Sequence, residues 1–251
     1  MSDLASVYLT GVGAITPCGD YSLYGDWTRE QAFAPRREDF ALTNYLTTPK
    51  TYLDRCSALA LAGCAFALQD AELPQPEGAT TGIALGTRTG CVDTMRNFWD
   101  VLSEKGARLA PPLLFSHSML NAPASLCAIE WGLQGPHVTL CAGELSGLEA
   151  ARAAWDALRL GRAQTMLCGG VEAESASHDQ LHAEVGAESA CFFVLQRGSD
   201  DAPFAEGAVL VTEAWFARAV ALLPQTREKY GSGSGATGAL ALLMALDTAA
   251  D

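Results

Sequence analysis

The stretch from Gly135 to Ala150 reads GPHVTLCAGELSGLEA and decides which fold we expect. A Gly-Pro turn leads into a short apolar run from His137 to Cys141, which predicts a strand. Glu144 follows at a tight elbow, and a helix then opens with small residues in its first turn. The apolar face of this helix is marked by residues at helical spacing: Leu148, Ala151, Trp155 and Leu158.

An elbow between a strand and a helix commonly holds a reactive group. The turn exposes one side chain, and the helix N-terminus stabilises negative charge nearby. Glu144 is therefore the first candidate site residue. If Glu144 is protonated, it donates a hydrogen bond as an amide does; if it is ionised, it needs donors such as the N–H groups at the start of the helix. The sequence leaves both states open.

The elbow resembles the nucleophile elbow of the β-ketoacyl synthases, a thiolase-like family. That family has Gly-Pro, an apolar strand, a Cys nucleophile and small residues before Leu. The Gly-Pro at 135–136 and the Ser-Gly-Leu at 146–148 both place Glu144 where the family has its Cys. Cys141 lies three residues too early. A carboxylate cannot carry an acyl group as a thioester, so the resemblance implies that the defining chemistry is absent.

The N-terminal segment Val7 to Gly19 reads VYLTGVGAITPCG and carries a second match. We expect a strand that begins at Val7, followed by a turn punctuated by Gly11 and Gly13. The segment resembles the opening of ketosynthases, where Thr-Pro-x-Gly follows the first strand. A nucleotide-binding turn is the alternative, but the full G-x-G-x-x-G is missing and no helix opens at the turn.

Residues 11–173 alternate between segments that predict strands and segments that predict helices. This alternation indicates an α/β fold with a mainly parallel, buried sheet covered by helices. From Asp20 to Lys50 we expect loop with a short helix. The other predicted elements are a buried helix at Leu53–Ala71, a strand at Thr81–Thr87, a surface helix at Asp93–Glu104, an extended segment at Leu109–Leu114, a helix in the second half of Phe115–Gly132, a strand at Ala163–Ala173 ending in Gly169-Gly170, a strand within Val185–Arg197 and one more at Ala208–Glu213.

The C-terminal stretch from Arg227 to Leu246 reads REKYGSGSGATGALALLMAL and predicts a Gly-rich turn that feeds an apolar helix from Thr237 onward. A flexible Gly/Ser linker is the alternative, and the helix directly after the turn argues against it. Ketosynthases carry a Lys, three residues, Gly-His and then Gly-Ala-x-Gly here. The resemblance places Arg227 at the Lys position and Ser232 at the His position.

The histidine inventory also departs from the family. The chain has His117, His137, His178 and His182, whereas both family histidines come from the C-terminal half, where about 65 residues follow Gly186 here. Decarboxylative condensation needs a thiolate and two imidazoles. The nucleophile and both histidine positions fail together, so the resemblance implies a non-catalytic paralogue. The shortening of the C-terminal half most resembles the small chain-length-factor-like subunits of aryl polyene biosynthesis, which pair with a full-length ketosynthase.

The resemblance also implies an architecture and a tunnel. It implies a layered αβαβα fold in one thiolase-like domain over 1–251, with an N-terminal half at 1–175 and a shortened C-terminal half at 185–251. Counting back from Gly135-Pro136, Met119 falls where the family has a tunnel-lining side chain, with Phe115 and His117 nearby. The alternatives are that Phe115 and Met119 are core on one helix face, and that His117 is structural or lies at the surface.

Composition excludes several classes of function. The 251 residues carry a formal net charge of −13, which disfavours nucleic acid and anionic membrane surfaces as partners. No apolar run reaches the ~18 residues of a membrane span. The eight Cys contain no C-x-x-C pair, and the N-terminus shows no secretion signal, so we expect free thiols in the cytoplasm and no metal or cofactor.

Three functions compete at this stage. The first is a non-catalytic subunit that pairs with an active ketosynthase and shapes its acyl tunnel. Carrier proteins are acidic as a family, so we expect a more basic partner to dock them. The second is an enzyme that decarboxylates malonyl groups with Glu144 in place of the Cys. The third is a stand-alone fold remnant that binds an unrelated partner.

Overall fold

A computed structural model describes residues 5–23, 25, 34–50, 52–175, 187–198, 207–231 and 234–247. Seven strands form one sheet: β1 (Val7–Thr16), β2 (Gly19–Tyr21), β3 (Thr81–Gly86), β4 (His137–Leu140), β5 (Thr165–Glu172), β6 (Ser189–Arg197) and β7 (Val209–Leu210). The α-helices in these ranges are α1 (Arg55–Asp70), α2 (Val92–Lys105), α3 (Pro112–His117), α4 (Ala122–Trp131), α5 (Ser146–Arg159), α6 (Glu213–Tyr230) and α7 (Thr237–Asp247). Short 3₁₀ turns lie at Leu42–Asn44, Gly78–Thr80 and Ala107–Leu109.

The sheet is mixed. Its strand order is β2-β1-β6-β5-β3-β4, with β7 paired to β1. β3 pairs in parallel with β4 and β5, as expected. β6 lies between β1 and β5 and runs antiparallel to both. The expectation of a mainly parallel sheet is therefore wrong for the whole sheet, because the late strand β6 inserts antiparallel between β1 and β5, and β2 and β7 also pair antiparallel with β1.

Helices cover both faces of the sheet, and β6 shows how the core is divided. Phe192 and Val194 of β6 point into a cluster with α1 and α4. Phe193 and Leu195 point into the opposite cluster, with α5, α6 and α7. Each fully buried side chain of this size contributes about 1.5–3 kcal/mol. The α/β class is confirmed, and the described ranges form three layers, helix–sheet–helix, without a second sheet.

The first strand is longer than the sequence suggests. β1 runs unbroken through Gly11 and Gly13, which we had expected to mark a turn. Both glycines face α1 at close range: a Cβ at Gly13 would lie 2.3 Å from the backbone nitrogen of Ala67. They are needed because helix and strand approach closely, and the local rule that associates glycine with turns misses this contact.

Three segments in the middle and towards the end of the chain differ from expectation. The segment Leu109–Leu114 is not extended throughout, because α3 begins at Pro112, where a proline is favoured in the first helical turn. At the predicted strand Ala208–Glu213, only Val209–Leu210 pair with β1, and Glu213 already begins α6. β5 also continues two residues beyond its Gly-Gly, to Glu172.

Helix α6 has no counterpart in the sequence-based expectations. It carries Pro224 in its interior, which argues against a helix from sequence alone. Tertiary packing holds it in place: the indole N–H of Trp215 donates to the carbonyl of Leu242 in α7 at 2.9 Å. The Trp215 ring also meets Phe193 of β6 edge-on at 5.6 Å. This helix brings Arg227 to the elbow.

Candidate functional site

The elbow between β4 and α5 is held by its own hydrogen bonds. Gly143 adopts a φ of +60°, the left-handed conformation that favours glycine. The hydroxyl of Ser146 donates to the carbonyl of Gly143 at 2.6 Å and accepts from the N–H of Ala142 at 2.9 Å. α5 begins at Ser146, as the sequence predicts, and Glu144 lies in the turn just before it.

Glu144 and Arg227 form an ion pair across the elbow. The guanidinium Nε and Nη2 lie 2.7 and 2.5 Å from Oε2 of Glu144. The Glu144 side chain is 19% exposed and that of Arg227 48% exposed. The resemblance assigned Glu144 to the family's Cys position and Arg227 to its Lys position, and the fold brings the two side chains into contact. The guanidinium supplies donors of the kind that an ionised carboxylate needs.

The Gly-rich turn packs directly on the elbow. Gly238 donates its N–H to the carbonyl of Glu144 at 2.8 Å, and Gly147 donates to the carbonyl of Gly235 at 3.0 Å. α7 then starts at Thr237, as predicted. The linker alternative is therefore wrong, because this turn is part of the packed site. Ser232, placed at a family His position, lies outside the described residues, as do His178 and His182.

A buried carboxylate that was not predicted from the sequence lies beneath the elbow. Glu172 ends β5 and is 2% exposed. It accepts hydrogen bonds from the N–H of Arg88 at 2.7 Å and from that of Gly235 at 3.0 Å. The only signal in the sequence is an acidic residue at the end of an apolar strand, which is uncommon unless the carboxylate is satisfied inside the protein.

The three tunnel candidates lie on and after α3. Phe115 is 53% exposed, and its ring lies 5.4 Å from that of Phe98. Met119 is 40% exposed and follows the end of α3. The alternative that Phe115 and Met119 are core on one helix face is therefore wrong. His117 meets the ring of Tyr52 edge-on at 5.1 Å, and its Nδ1 has no hydrogen-bond partner among the described residues.

A continuous length of chain around α2 and α3 exposes large apolar side chains. We call it the α2–α3 apolar surface, and its members are Met95, Trp99, Leu109, Leu113, Phe115, Met119 and Leu120, each at least 38% exposed. β4 is the last strand in the order of the described sheet and pairs there only with β3. Exposed apolar patches and open strand edges of this kind mark interaction sites.

The thiols offer no replacement nucleophile inside the fold. All eight cysteines are free, and all but Cys141 are buried. Burial raises the pKa of the Cys168 and Cys191 thiols, which keeps them protonated and inert. The thiol of Cys141 donates to the carbonyl of Arg88 at 3.4 Å. In the described ranges, no group of three His, Cys, Asp or Glu residues is arranged to hold a metal ion.

The family is decided by a comparison with protein-family models. The model described as "Beta-ketoacyl synthase, N-terminal domain" matches residues 25–202. The chain belongs to the β-ketoacyl synthase family. A curated relative, 3-oxoacyl-[acyl-carrier-protein] synthase 2 of Synechocystis sp., is 30% identical over an alignment 191 residues long, which covers 66% of this chain and 45% of the relative. The chain thus spans about half the length of the curated relative it matches.

Two solved ketosynthase-family structures share the fold over nearly the whole chain. The ishigamide ketosynthase/chain length factor matches with a TM-score of 0.69 and 19% identity, covering 97% of this chain and 92% of the other. A β-ketoacyl synthase from Burkholderia phymatum STM815 matches with a TM-score of 0.68 and 19% identity, covering 98% and 86%. At this identity the likeness establishes the thiolase-like fold. Across the described residues, no helix is long and apolar enough to cross a bilayer.

Proposed function

We propose that this chain is a non-catalytic, chain-length-factor-like subunit. It forms a heterodimer with an active β-ketoacyl synthase and shapes the end of that partner's acyl tunnel during polyene or polyketide chain elongation. In this proposal residues 1–251 act as one thiolase-like domain in the cytoplasm. The acyl carrier protein docks mainly on the partner, because this chain is strongly acidic.

The observation that carries the proposal is the Glu144–Arg227 ion pair at the elbow. The decarboxylative condensation of the family needs a thiolate to accept the acyl chain, and Glu144 stands at the position that the resemblance assigns to the family's Cys. Both described guanidinium contacts reach one oxygen of its carboxylate. A charged pair stands at the positions that the resemblance assigns to the family's Cys and Lys, and no thiol is present there, which supports a structural role for the elbow.

The α2–α3 apolar surface supports the choice of a protein partner. The side chains of Trp99 and Leu109 are 64% and 65% exposed, and they would be buried if another subunit covered this surface. Burying large aromatic and aliphatic side chains drives stable association. Phe115 and Met119 belong to the same surface, so a partner seated there would have these side chains at the boundary of its own cavity.

The decarboxylase alternative is the weaker candidate. It requires Glu144 to act on a malonyl group, yet the carboxylate is engaged by Arg227 and the chemistry also calls for imidazoles. Carbon dioxide release from malonyl-carrier protein by the lone chain, abolished by Glu144→Ala, would favour this alternative over the subunit proposal.

Product analysis tests the proposed tunnel role. In a reconstituted pair with the ketosynthase encoded beside this chain, we expect Met119→Ala to lengthen the products, because it removes volume at the tunnel end. Met119→Trp adds volume and should shorten them. Leu160→Ala is a matched control, since Leu160 is an exposed apolar residue just after α5. Mass spectrometry of the released chains gives the readout, and unchanged products from both Met119 variants would refute the role.

A further inference from the structure

The proposed function leaves Glu172 without a role, although it is the most heavily hydrogen-bonded carboxylate near the elbow. Its Oε2 accepts from the N–H groups of Arg88 and Gly235. Its Oε1 accepts from the N–H of Thr89 at 3.1 Å and from the hydroxyls of Thr89 and Thr87. The donors come from two turns that are distant in sequence. The turn at 87–89 lies 83–85 residues before Glu172, and Gly235 lies 63 residues after it.

Gly235 connects this carboxylate to the elbow. Its N–H donates to Glu172, while its carbonyl accepts from the N–H of Gly147 in the first turn of α5. Three residues later, Gly238 donates to the backbone carbonyl of Glu144. A Cβ at Gly235 would lie 2.4 Å from the nitrogen of Arg88 and 2.7 Å from Oε2 of Glu172. The turn therefore rests on the carboxylate without room for any side chain.

We propose that Glu172 is the positioning residue of the elbow. Its carboxylate connects the turn at 87–89 to the Gly-rich turn through hydrogen bonds. The Gly-rich turn then holds the backbone of Glu144 and the start of α5 in place. Glu172 contacts no ligand in this role and acts through Gly235. The proposal does not depend on the heterodimer, so it stands or fails independently of the proposed function.

A carboxylate suits this role better than an amide. Each of its oxygens only accepts, and together they provide about four lone-pair positions. In Glu172→Gln, one acceptor oxygen is replaced by an NH₂ group, which only donates. Depending on the orientation of the amide, this group would face either the N–H of Thr89 or the N–H groups of Arg88 and Gly235. Two donors that face each other form no hydrogen bond. The threonine hydroxyls can rotate to accept, but the backbone N–H groups cannot. The isosteric variant therefore loosens the connection without changing the volume of the side chain.

Amide hydrogen exchange, measured by NMR on the full chain, tests the proposal. We expect Glu172→Gln to speed exchange at the Gly147 and Gly238 amides by about tenfold or more, since charged hydrogen bonds of this kind are lost locally. Gly235→Ala keeps the carboxylate but breaks the same connection, so it should give the same pattern. Exchange at Phe192 and Val194 in β6 should stay unchanged in both variants.

Glu188→Gln provides the matched control. Glu188 is also buried, at 1% exposed, but its carboxylate accepts from Arg55 at the start of α1 and from the N–H of Arg37, not from the turn at 87–89 or the Gly-rich turn. It should leave exchange at Gly147 and Gly238 unchanged. Three results would each overturn the proposal: no acceleration at these amides in either elbow variant, an acceleration matched throughout β6, or the same local acceleration in Glu188→Gln.

Discussion

The Glu144–Arg227 ion pair should contribute a measurable coupling energy to stability. Two unit charges 4 Å apart attract by about 1 kcal/mol in water and about 4 kcal/mol at an effective dielectric constant of 20. Arg227 is 48% exposed, so solvent screens the pair, and exposed pairs give about 0.2–1 kcal/mol in double-mutant cycles. Because Glu144 is only 19% exposed and two donors reach one of its oxygens, we expect a coupling near the upper end, about 1 kcal/mol.

The two single variants should differ in size. Arg227→Ala leaves a largely buried carboxylate without its guanidinium and should cost about 1–2 kcal/mol. Glu144→Ala leaves a half-exposed guanidinium that water can solvate, so it should cost less. At 1 M salt the screening length falls to about 3 Å, and the coupling should shrink.

Urea denaturation of the wild type, both single variants and the double variant measures the coupling. The Arg152–Glu213 pair between α5 and α6 is a matched control, with side chains 38% and 64% exposed, and should show a smaller coupling. Strictly additive effects of Glu144→Ala and Arg227→Ala would refute the reasoning. The elbow carboxylate would then be available for another role.

Two further predictions concern buried groups. Native thiol labelling should modify one fast-reacting cysteine, and Cys141→Ser should abolish that reaction, because the other seven thiols are buried; a second fast thiol would contradict the packing. Arg55→Met should cost about 3 kcal/mol in urea denaturation, because it removes the guanidinium from the buried carboxylate of Glu188 and leaves the N–H of Arg37 as the remaining described donor. Glu188→Gln should cost less, since Arg55 is partly exposed, and equal losses would contradict this account.

The elbow could be predicted because its signals are local. A Gly-Pro turn, a short apolar run, small residues and a periodic helix all lie within Gly135 to Ala150, and the structure places β4 and α5 accordingly. The start of α7 after the Gly-rich turn is likewise a local change of composition. Glu144 and Arg227 were both selected by resemblance, but nothing in their separate surroundings indicated that they form a pair.

The missed features depend on contacts between distant residues. From the sequence, Gly13 predicts a turn, whereas in the structure it allows α1 to pack closely against β1. Pro224 disfavours a helix at α6, but the hydrogen bond from Trp215 to α7 helps to hold that helix in place. β6 inserts antiparallel between β1 and β5, a pairing that no periodicity specifies. Glu172 receives its donors from turns that are remote in sequence, so its role could not be predicted from β5 alone.

The most direct test of the central claim is co-expression with the ketosynthase encoded beside this chain, followed by size-exclusion chromatography with mass determination. The proposal predicts a stable complex with equal numbers of the two chains, while this chain alone self-associates through its exposed α2–α3 apolar surface. A well-behaved lone monomer that leaves the ketosynthase uncomplexed would contradict the subunit proposal.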